Sequence, residues 1–192
     1  MPNIGQSISG IGGETLYQNR TVIQGPGADI LFPNTPMVQY SQSTSYSQYN
    51  LTHTNYTVHA YQGTPSPQLQ VTGQFTTHTK EEHRYVRDVI HYLRVWTKMN
   101  YGIGDGNAGT PPPVCKFSSH GSTMFNRVPV LIQDFQVPLE NSVDQITFDG
   151  VSLPVILTIS CTLSVHVNPA KQKRSFSKQA FTSGSLYSGG FI

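Results

Sequence analysis

The stretch LPVILTISCTLSVHV, residues 153–167, alternates between the two sides of an extended chain without interruption. Side chains on a β-strand point alternately to opposite faces, so this pattern predicts a half-buried strand. At about 3.3 Å per residue the strand would reach roughly 50 Å, beyond the roughly 40 Å diameter of a compact domain of this length. We therefore predict a strand that leaves the globule and serves assembly. The apolar face, which we predict to form a subunit interface, carries Leu153, Val155, Leu157, Ile159, Cys161, Leu163 and Val165, and then Val167.

The opposite face of this stretch, from Pro154 to His166, carries no charge. Such a face suits contact with another protein surface better than bulk water. Charged residues make up only 11% of the chain, against about 25% in an average soluble domain. Disorder is one explanation, but disordered chains are usually poor in the aromatic and β-branched residues that are abundant here. Burial of the outer surface against other subunits is favoured, because charges are depleted in such interfaces.

Net charge and cysteine content exclude few classes of function. The net charge of +2 is too small to indicate nucleic-acid binding by itself. Four cations crowd the C-terminal tail, where we predict a solvated segment or contact with an acidic neighbouring subunit. They are Lys171, Lys173, Arg174 and Lys178. Cys115 and Cys161 allow a single disulfide at most, and we interpret them as reduced, buried thiols of a protein made inside a cell. We expect no signal peptide and no membrane insertion, because neither a leader pattern nor a membrane-length apolar run occurs.

Three segments are predicted along the chain. Residues 1–36 contain Gly and Pro with little periodicity and only three charges, so we predict an extended arm ordered against a partner, with flexible disorder as the alternative. Residues 37–167 form a β-rich domain, and residues 168–192 form a tail. Strands are predicted around 38–40, 56–60, 69–75, 114–118, 128–137 and 143–148. The turn at Asp149-Gly150 would fold 143–167 into a long hairpin.

One helix is predicted over about residues 80–100. Thr79 followed by Glu82 forms a capping box, and apolar residues recur at spacings of three and four along one stripe. The residues predicted to pack this helix against the core are Tyr85, Val89, Leu93 and Trp96, together with Val86 and Ile90. Arg84 and Asp88 would pair on the opposite face. Glycines should end the helix between 101 and 104.

No motif indicates catalysis, and we predict neither an enzyme nor a bound cofactor or metal. The glycines at 102–106 follow a helix, whereas phosphate-binding loops precede one. The seven histidines lack the spacing of zinc ligands. No Gly-x-Ser-x-Gly elbow or Cys-His-Asn signature is present. Tyr and Phe interleaved with Thr and Gln could form a base-stacking platform, but the basic residues that it needs are absent from those strands.

A resemblance to a known family rests on several short runs. They are Gly73-Gln74-Phe75-Thr76, Thr79-Lys80-Glu81-Glu82, Leu93 to Gly102, Gly109 to Pro113, Val128-Pro129-Val130 and Gly189-Gly190-Phe191-Ile192. Over roughly residues 30–192 the chain resembles the tail-tube initiator and tube-cap proteins of contractile-tailed, T4-like phage baseplates. The resemblance implies a mainly β fold, a sandwich or barrel of the tail-tube type with one flanking helix and a long hairpin. Six copies would form a ring around a channel for DNA.

The implied function is that of a structural virion protein, made in the host cytoplasm and placed in the phage tail baseplate. The ring would join the central hub or spike below to the tail tube or a second tube-like ring above, and would initiate tube assembly. Wedge or sheath proteins would surround it, and DNA would pass at ejection without sequence readout. The tail contacts are assigned to Lys171, Lys173, Arg174 and Phe191. The alternatives are a main tail-tube subunit, a tail-completion protein or, from a different class, a nucleic-acid-binding β-barrel module.

Overall fold

The structure is a computed structural model that describes residues 20–102, 106–121, 124–139, 143–187 and 190–192. The fold is mainly β, with a large antiparallel sheet, two separate two-stranded hairpins and three helices in the described part. The strands are β1 Val22–Gly25, β2 Ala28–Leu31, β3 Met37–Ser41, β4 Ser45–Tyr49, β5 Val58–Gly63, β6 Gln68–Thr76, β7 Cys115–Ser119, β8 Phe125–Gln136, β9 Gln145–Phe148, β10 Val151–Pro154 and β11 Ile156–Val165. The helices are α1 Lys80–Trp96, α2 Pro169–Ser175 and α3 Lys178–Thr182.

The large sheet curls so that its two edges approach each other. Its strand order is β2-β1-β7-β8-β11-β6-β3, with β2 and β3 at opposite edges. Only residues 32–36 link these two strands, and five residues cannot cross a flat seven-stranded sheet. Phe32, directly after β2, lies with its ring centroid 5.4 Å from that of Phe75 in β6. The concave side of the sheet therefore encloses the core.

Helix α1 begins as the capping box predicts. The Thr79 side chain accepts a hydrogen bond from the Glu82 amide, and the Glu82 carboxylate accepts from the backbone of Thr79. Its buried stripe consists of His83, Val86, Val89, Ile90, Leu93 and Trp96. The helix ends at Trp96, earlier than predicted, because Thr97 closes the last turn through both its amide and its hydroxyl to the Leu93 carbonyl.

Two aromatic side chains fix α1 against the first hairpin of the sheet. The Tyr85 hydroxyl accepts from the Leu31 amide at 2.8 Å and donates to the Leu31 carbonyl at 2.7 Å. One side chain thus satisfies both backbone groups of Leu31 at the outer edge of β2, which would otherwise invite pairing with another chain. Trp96 is buried against Gly25 and donates from Nε1 to the Pro26 carbonyl at 3.3 Å.

The prediction of an arm over residues 1–36 is wrong for its described part. Residues 22–31 form β1 and β2, and Ile23, Ile30 and Phe32 are fully buried in the core. These strands are only four residues each and are joined through Gly25-Pro26-Gly27, so their alternation is too short to stand out. Residues 1–19 lie outside the described residues.

The single 50 Å strand is also wrong. The chain bends at Val155, so that β10 pairs only with β9 while β11 pairs with β6 and β8. The Val155 amide donates to the Asp144 carbonyl, and the Val155 carbonyl accepts from Thr77. Alternation survives the bend because Leu153 and Leu157 both point to the core. The predicted Asp149-Gly150 turn is confirmed between β9 and β10, and both residues have positive φ.

The predicted Arg84–Asp88 pair does not form. Arg84 binds Asp149 at 2.8 Å, and Lys80 binds the same carboxylate at 3.0 Å, so two cations of α1 hold the β9–β10 turn. Asp88 pairs with Arg87 instead. Arg84 pairs with Asp149 and not with Asp88 because a carboxylate placed between two cations is stabilised by both. Among the described helices, none is long and apolar enough to span a membrane.

Candidate assembly interface

The apolar face assigned to a subunit interface belongs to the chain's own core. Six of its seven residues are buried within the single chain: Leu153, Leu157, Ile159, Cys161, Leu163 and Val165. Val155 is half-buried at the bend. These side chains contact the concave lining of the sheet and the stripe of α1, so they cannot contact a neighbouring subunit in this conformation. Of the helix residues, Val89, Leu93 and Trp96 are buried, and Tyr85 is packed against the core and half-buried.

The tail does not extend away from the domain. Phe191 is buried, with its ring centroid 6.0 Å from that of Phe176, and the Lys171 Nζ lies 5.5 Å from the Phe191 centroid. Gly190 has a positive φ and approaches Pro129 of β8 so closely that an added Cβ would lie 2.7 Å from it. Phe191 therefore packs on its own chain and is not available to another ring. Lys171, Lys173 and Arg174 lie exposed on α2.

A broad polar face lies on the convex side of the large sheet; we call it the outer face. Antiparallel register aligns residues of β3, β6, β11 and the C-terminal half of β8 in rows. The first row is Met37, Thr72, Ser160 and Gln136; the second is Gln39, Gln70, Thr162 and Asp134; the third is Ser41, Gln68, Ser164 and Leu131. The only Asp, Glu, Lys or Arg in these rows is the exposed Asp134. The outer face thus offers hydroxyl and amide groups and no cation.

The sequence contains a signal for this face that the strand pattern alone does not reveal. No Asp, Glu, Lys or Arg occurs between Ile30 and Thr79, a run that includes β3 and β6. Solvated antiparallel sheets normally carry charged residues on the exposed side. A charge-free run this long therefore indicates that this part of the chain is not ordinary solvent-exposed surface.

The same charge-free run forms a projecting hairpin, residues 45–63, which we call the arm. β4 and β5 pair with each other in a separate sheet and continue the β3–β6 pair outward. None of the side chains from Ser45 to Gly63 is buried. The exposed apolar and aromatic side chains of the arm are Tyr46, Tyr49, Leu51, Tyr56, Val58 and Tyr61, of which Tyr56 is 86% exposed. An isolated two-stranded hairpin is only marginally stable in water. The two strands of the arm therefore give it little stability by themselves.

Strand edges next to the outer face are open in the described part of the chain. β3 pairs on one side only, with β6, and carries no Pro, bulge or charge that would block pairing. Residues 131–136 of β8 pair only with β11, because β7 accompanies β8 no further than Val130. By contrast, the backbone groups of Leu31 in β2 are hydrogen-bonded to Tyr85. The two open edges lie on opposite sides of the four-stranded outer face.

Groups that could support chemistry are few among the described residues. No cluster of three or more His, Cys, Asp or Glu capable of holding a metal occurs among them. Both cysteines are free and buried, and burial raises the pKa of Cys115 to about 11 and that of Cys161 to about 12. Those thiols remain protonated at neutral pH, which makes them poor nucleophiles.

A series of side-chain hydrogen bonds joins the start of β1 to the end of β7, which lie far apart in the sequence. Ser119 Oγ lies 2.6 Å from Thr21 Oγ1 and 2.7 Å from His120 Nδ1. Asp29 and Arg127 line the adjacent cavity of about 570 Å³. Within the described residues no carboxylate hydrogen-bonds His120, so nothing fixes its imidazole as a general base. The bonds tie the entry of β1 to the end of β7, which is a structural role.

Comparison with known proteins does not assign the chain. It matches no protein-family model and no curated protein sequence.

Proposed function

We propose that this chain is a structural subunit of a contractile, T4-like phage baseplate that forms a hexameric ring at the baseplate end of the tail tube. The ring joins the central hub to the tube, initiates tube assembly and surrounds a channel for DNA. The observation that carries the proposal is the outer face, a four-stranded surface with one carboxylate and no cation. The sandwich or barrel of the tail-tube type is the finer description that we propose for the observed mainly β fold.

The chemistry of the outer face suits a channel wall. Nucleic-acid binding needs Lys and Arg, since phosphate neutralisation supplies most of the affinity. A wall of Gln, Ser and Thr hydrates easily, offers no ion pair to phosphate and so lets a duplex slide. One Asp134 per copy adds weak repulsion. A nucleic-acid-binding module would require the opposite distribution of charge.

The size of a ring built from this face is suitable. Four strands from each of six copies make 24 strands, which at about 4.8 Å spacing give a circumference of roughly 115 Å and a backbone diameter of roughly 37 Å. Side chains projecting inward by about 5 Å leave a bore of roughly 27 Å, and strand tilt widens it. The two open edges lie on opposite sides of the face, as head-to-tail closure requires.

The proposal is tested by the symmetry of the purified assembly and by charge substitution on the face. Electron microscopy and native mass spectrometry should show six copies around a central opening. Ser160→Lys with Thr162→Lys would place twelve cations in the bore, and the ring should then retain duplex DNA in a salt-dependent manner that the wild type lacks. Thr162→Glu, which adds negative charge at the same position, is the matched control and should not retain DNA.

A different outcome would favour the other class. The cations of α2, with no carboxylate among its seven residues, are the observation that favours a nucleic-acid-binding β module. A protein that stays monomeric at all concentrations and binds DNA with a steep salt dependence would overturn the ring and support that module. A ring stacked in many copies along the tube would instead identify a main tube subunit.

A further inference from the structure

We infer that a groove between α1 and the end of β8 is a docking site for a segment of a partner protein that carries a large apolar side chain next to Asp or Glu. The groove lies on the concave side of the large sheet, opposite to the outer face. Its occupancy does not depend on the ring proposed above, because a single copy of the chain contains the whole site. The inference goes beyond that function by naming a second surface and the chemistry of its partner.

The floor of the groove is apolar and partly open to water. A cavity of about 340 Å³ lies between α1, residues 135–139 and β10. Ile90 and Leu153 line it and are buried, whereas Leu139 lines it and is 62% exposed. The remaining apolar lining residues, all half-buried, are Phe135, Val137 and Val151. A large apolar side chain placed in this cavity would leave water and gain free energy in proportion to the area that it buries.

The rim of the groove on the α1 side is cationic. Arg87, His91 and Arg94 follow one another at spacings of four and three, so they lie along one side of the helix. All three line the cavity and are exposed. Asp88 also lines the cavity, but it is paired with Arg87 at 3.3 Å. The Arg94 guanidinium has no ion-pair or hydrogen-bond partner among the described residues. A carboxylate is the group that complements this unpaired cation.

The positive charge is concentrated in the C-terminal half of α1. In the first turns of the helix, two cations share the carboxylate of Asp149. No Asp or Glu occurs in residues 89–104, whereas Arg94 and Lys98 both lie there, one turn apart and exposed. The helix dipole favours a cation in the last turn, but it does not explain why open apolar surface lies directly beside that cation. The two features together describe a site for a group that is apolar on one side and anionic on the other.

This combination selects a segment of another protein as the occupant. Nucleic-acid binding needs many cations along a surface and does not need an apolar floor. A small ligand buries most of its surface in its site, whereas this groove leaves Leu139 more than half exposed. A peptide can cover that side chain with an apolar residue while a neighbouring carboxylate binds Arg94, because both residues line the same cavity. Recognition of acidic motifs by arginine is a recurring mode of peptide binding.

The test screens the full chain against an array of random hexapeptides and then measures the strongest binder by fluorescence anisotropy. Bound peptides should be enriched in Leu, Ile, Phe or Met next to Asp or Glu. Arg94→Glu should weaken binding of the selected peptide by about tenfold or more, and Leu139→Ser by about fivefold. The matched controls are Lys116→Glu and Leu51→Ser, which change an exposed cation on β7 and an exposed leucine of the arm. Neither residue lines the groove, so both controls should bind like wild type.

The four altered side chains are exposed, so all variants should keep the wild-type melting temperature. The inference is overturned if the array selects no peptides, or selects basic or uncharged ones, or if Arg94→Glu binds the selected peptide like wild type. Displacement of the peptide by an unlabelled copy of the chain would assign the groove to self-contact instead. Binding of sodium dodecanoate in place of any peptide would assign it to a small amphiphile. None of these measurements reports the symmetry of the assembly, so the groove and the ring can fail separately.

Discussion

The close contact between Gly73 and Phe32 gives the sharpest test of the curled sheet. A Cβ added to Gly73 would lie 2.3 Å from Phe32 Cδ1 and 2.6 Å from Cε1. An ordinary contact needs about 3.5 Å or more, so the ring must retreat by more than 1 Å. β6 is paired with β11 along its length, which leaves Phe32 as the part that moves. We expect Gly73→Ala to lower the free energy of unfolding by about 2–3 kcal/mol.

Removing the ring should relieve that cost. Phe32→Ala alone should cost about 3–5 kcal/mol through the cavity that it leaves. In that background Gly73→Ala should cost less than about 1 kcal/mol, a coupling of roughly 2 kcal/mol in a double-mutant cycle. Urea unfolding followed by circular dichroism supplies the four free energies, with Phe32→Leu as a milder replacement. Equal costs of Gly73→Ala in both backgrounds, within about 0.5 kcal/mol, would refute the contact.

A matched glycine controls for intrinsic strand propensity. Gly63 also lies in a strand, but nothing lies within 4 Å of a Cβ added to it. Gly63→Ala should therefore leave the unfolding free energy unchanged or raise it by up to about 1 kcal/mol. For a chain of this length each kcal/mol moves the melting temperature by about 2–4 °C, so the two substitutions should separate clearly. Similar losses at both glycines would attribute the effect to the loss of glycine itself.

Three further predictions follow from single contacts. Tyr85→Phe should cost about 1–3 kcal/mol, because both backbone groups of Leu31 lose their partner; hydrogen exchange at the Leu31 amide should accelerate, and an unchanged rate would contradict the role in edge protection. Lys80 and Arg84 lower the pKa of Asp149, so this carboxylate stabilises the fold at pH values above its unfolded pKa of about 3.9. That contribution is lost as the pH falls through the lower pKa of the folded state. The difference in unfolding free energy between wild type and Asp149→Asn should therefore shrink in that range. Cys115 and Cys161 should resist thiol reagents at pH 8 until the protein unfolds, and rapid native labelling would show that they are accessible.

The sequence predicts local features well, but it does not show what each surface will contact. The capping box at Thr79, the stripe of α1 and the Asp149-Gly150 turn all depend on neighbours in the chain, and the structure contains each of them. Alternation at Leu153–Val165 correctly marks a face that is buried, but a period of two does not state what buries it. The core and a subunit interface produce the same pattern. The bend at Val155 is invisible to it as well, since the phase is kept.

The errors at the two ends of the chain have a related cause. β1 and β2 are short strands stabilised by distant partners such as Tyr85 and Phe75, and no local propensity reveals those partners. The cations of the tail predict a solvated segment or contact with an acidic neighbouring subunit, and they give no sign that Phe191 is buried near Phe176. The charge-free run 30–79 was the stronger signal, because it depends on composition and not on an unknown partner.

The outer face and the arm share this run yet differ in how they can be covered. Apart from Met37, Leu131 and Asp134, the rows of the outer face consist of Gln, Ser and Thr, which stay hydrated at little cost, so the face gains little from burial and suits a water-filled channel. The arm exposes tyrosines, leucine and valine, which gain free energy when removed from water. Covering the arm should therefore stabilise the chain, whereas covering the outer face should not.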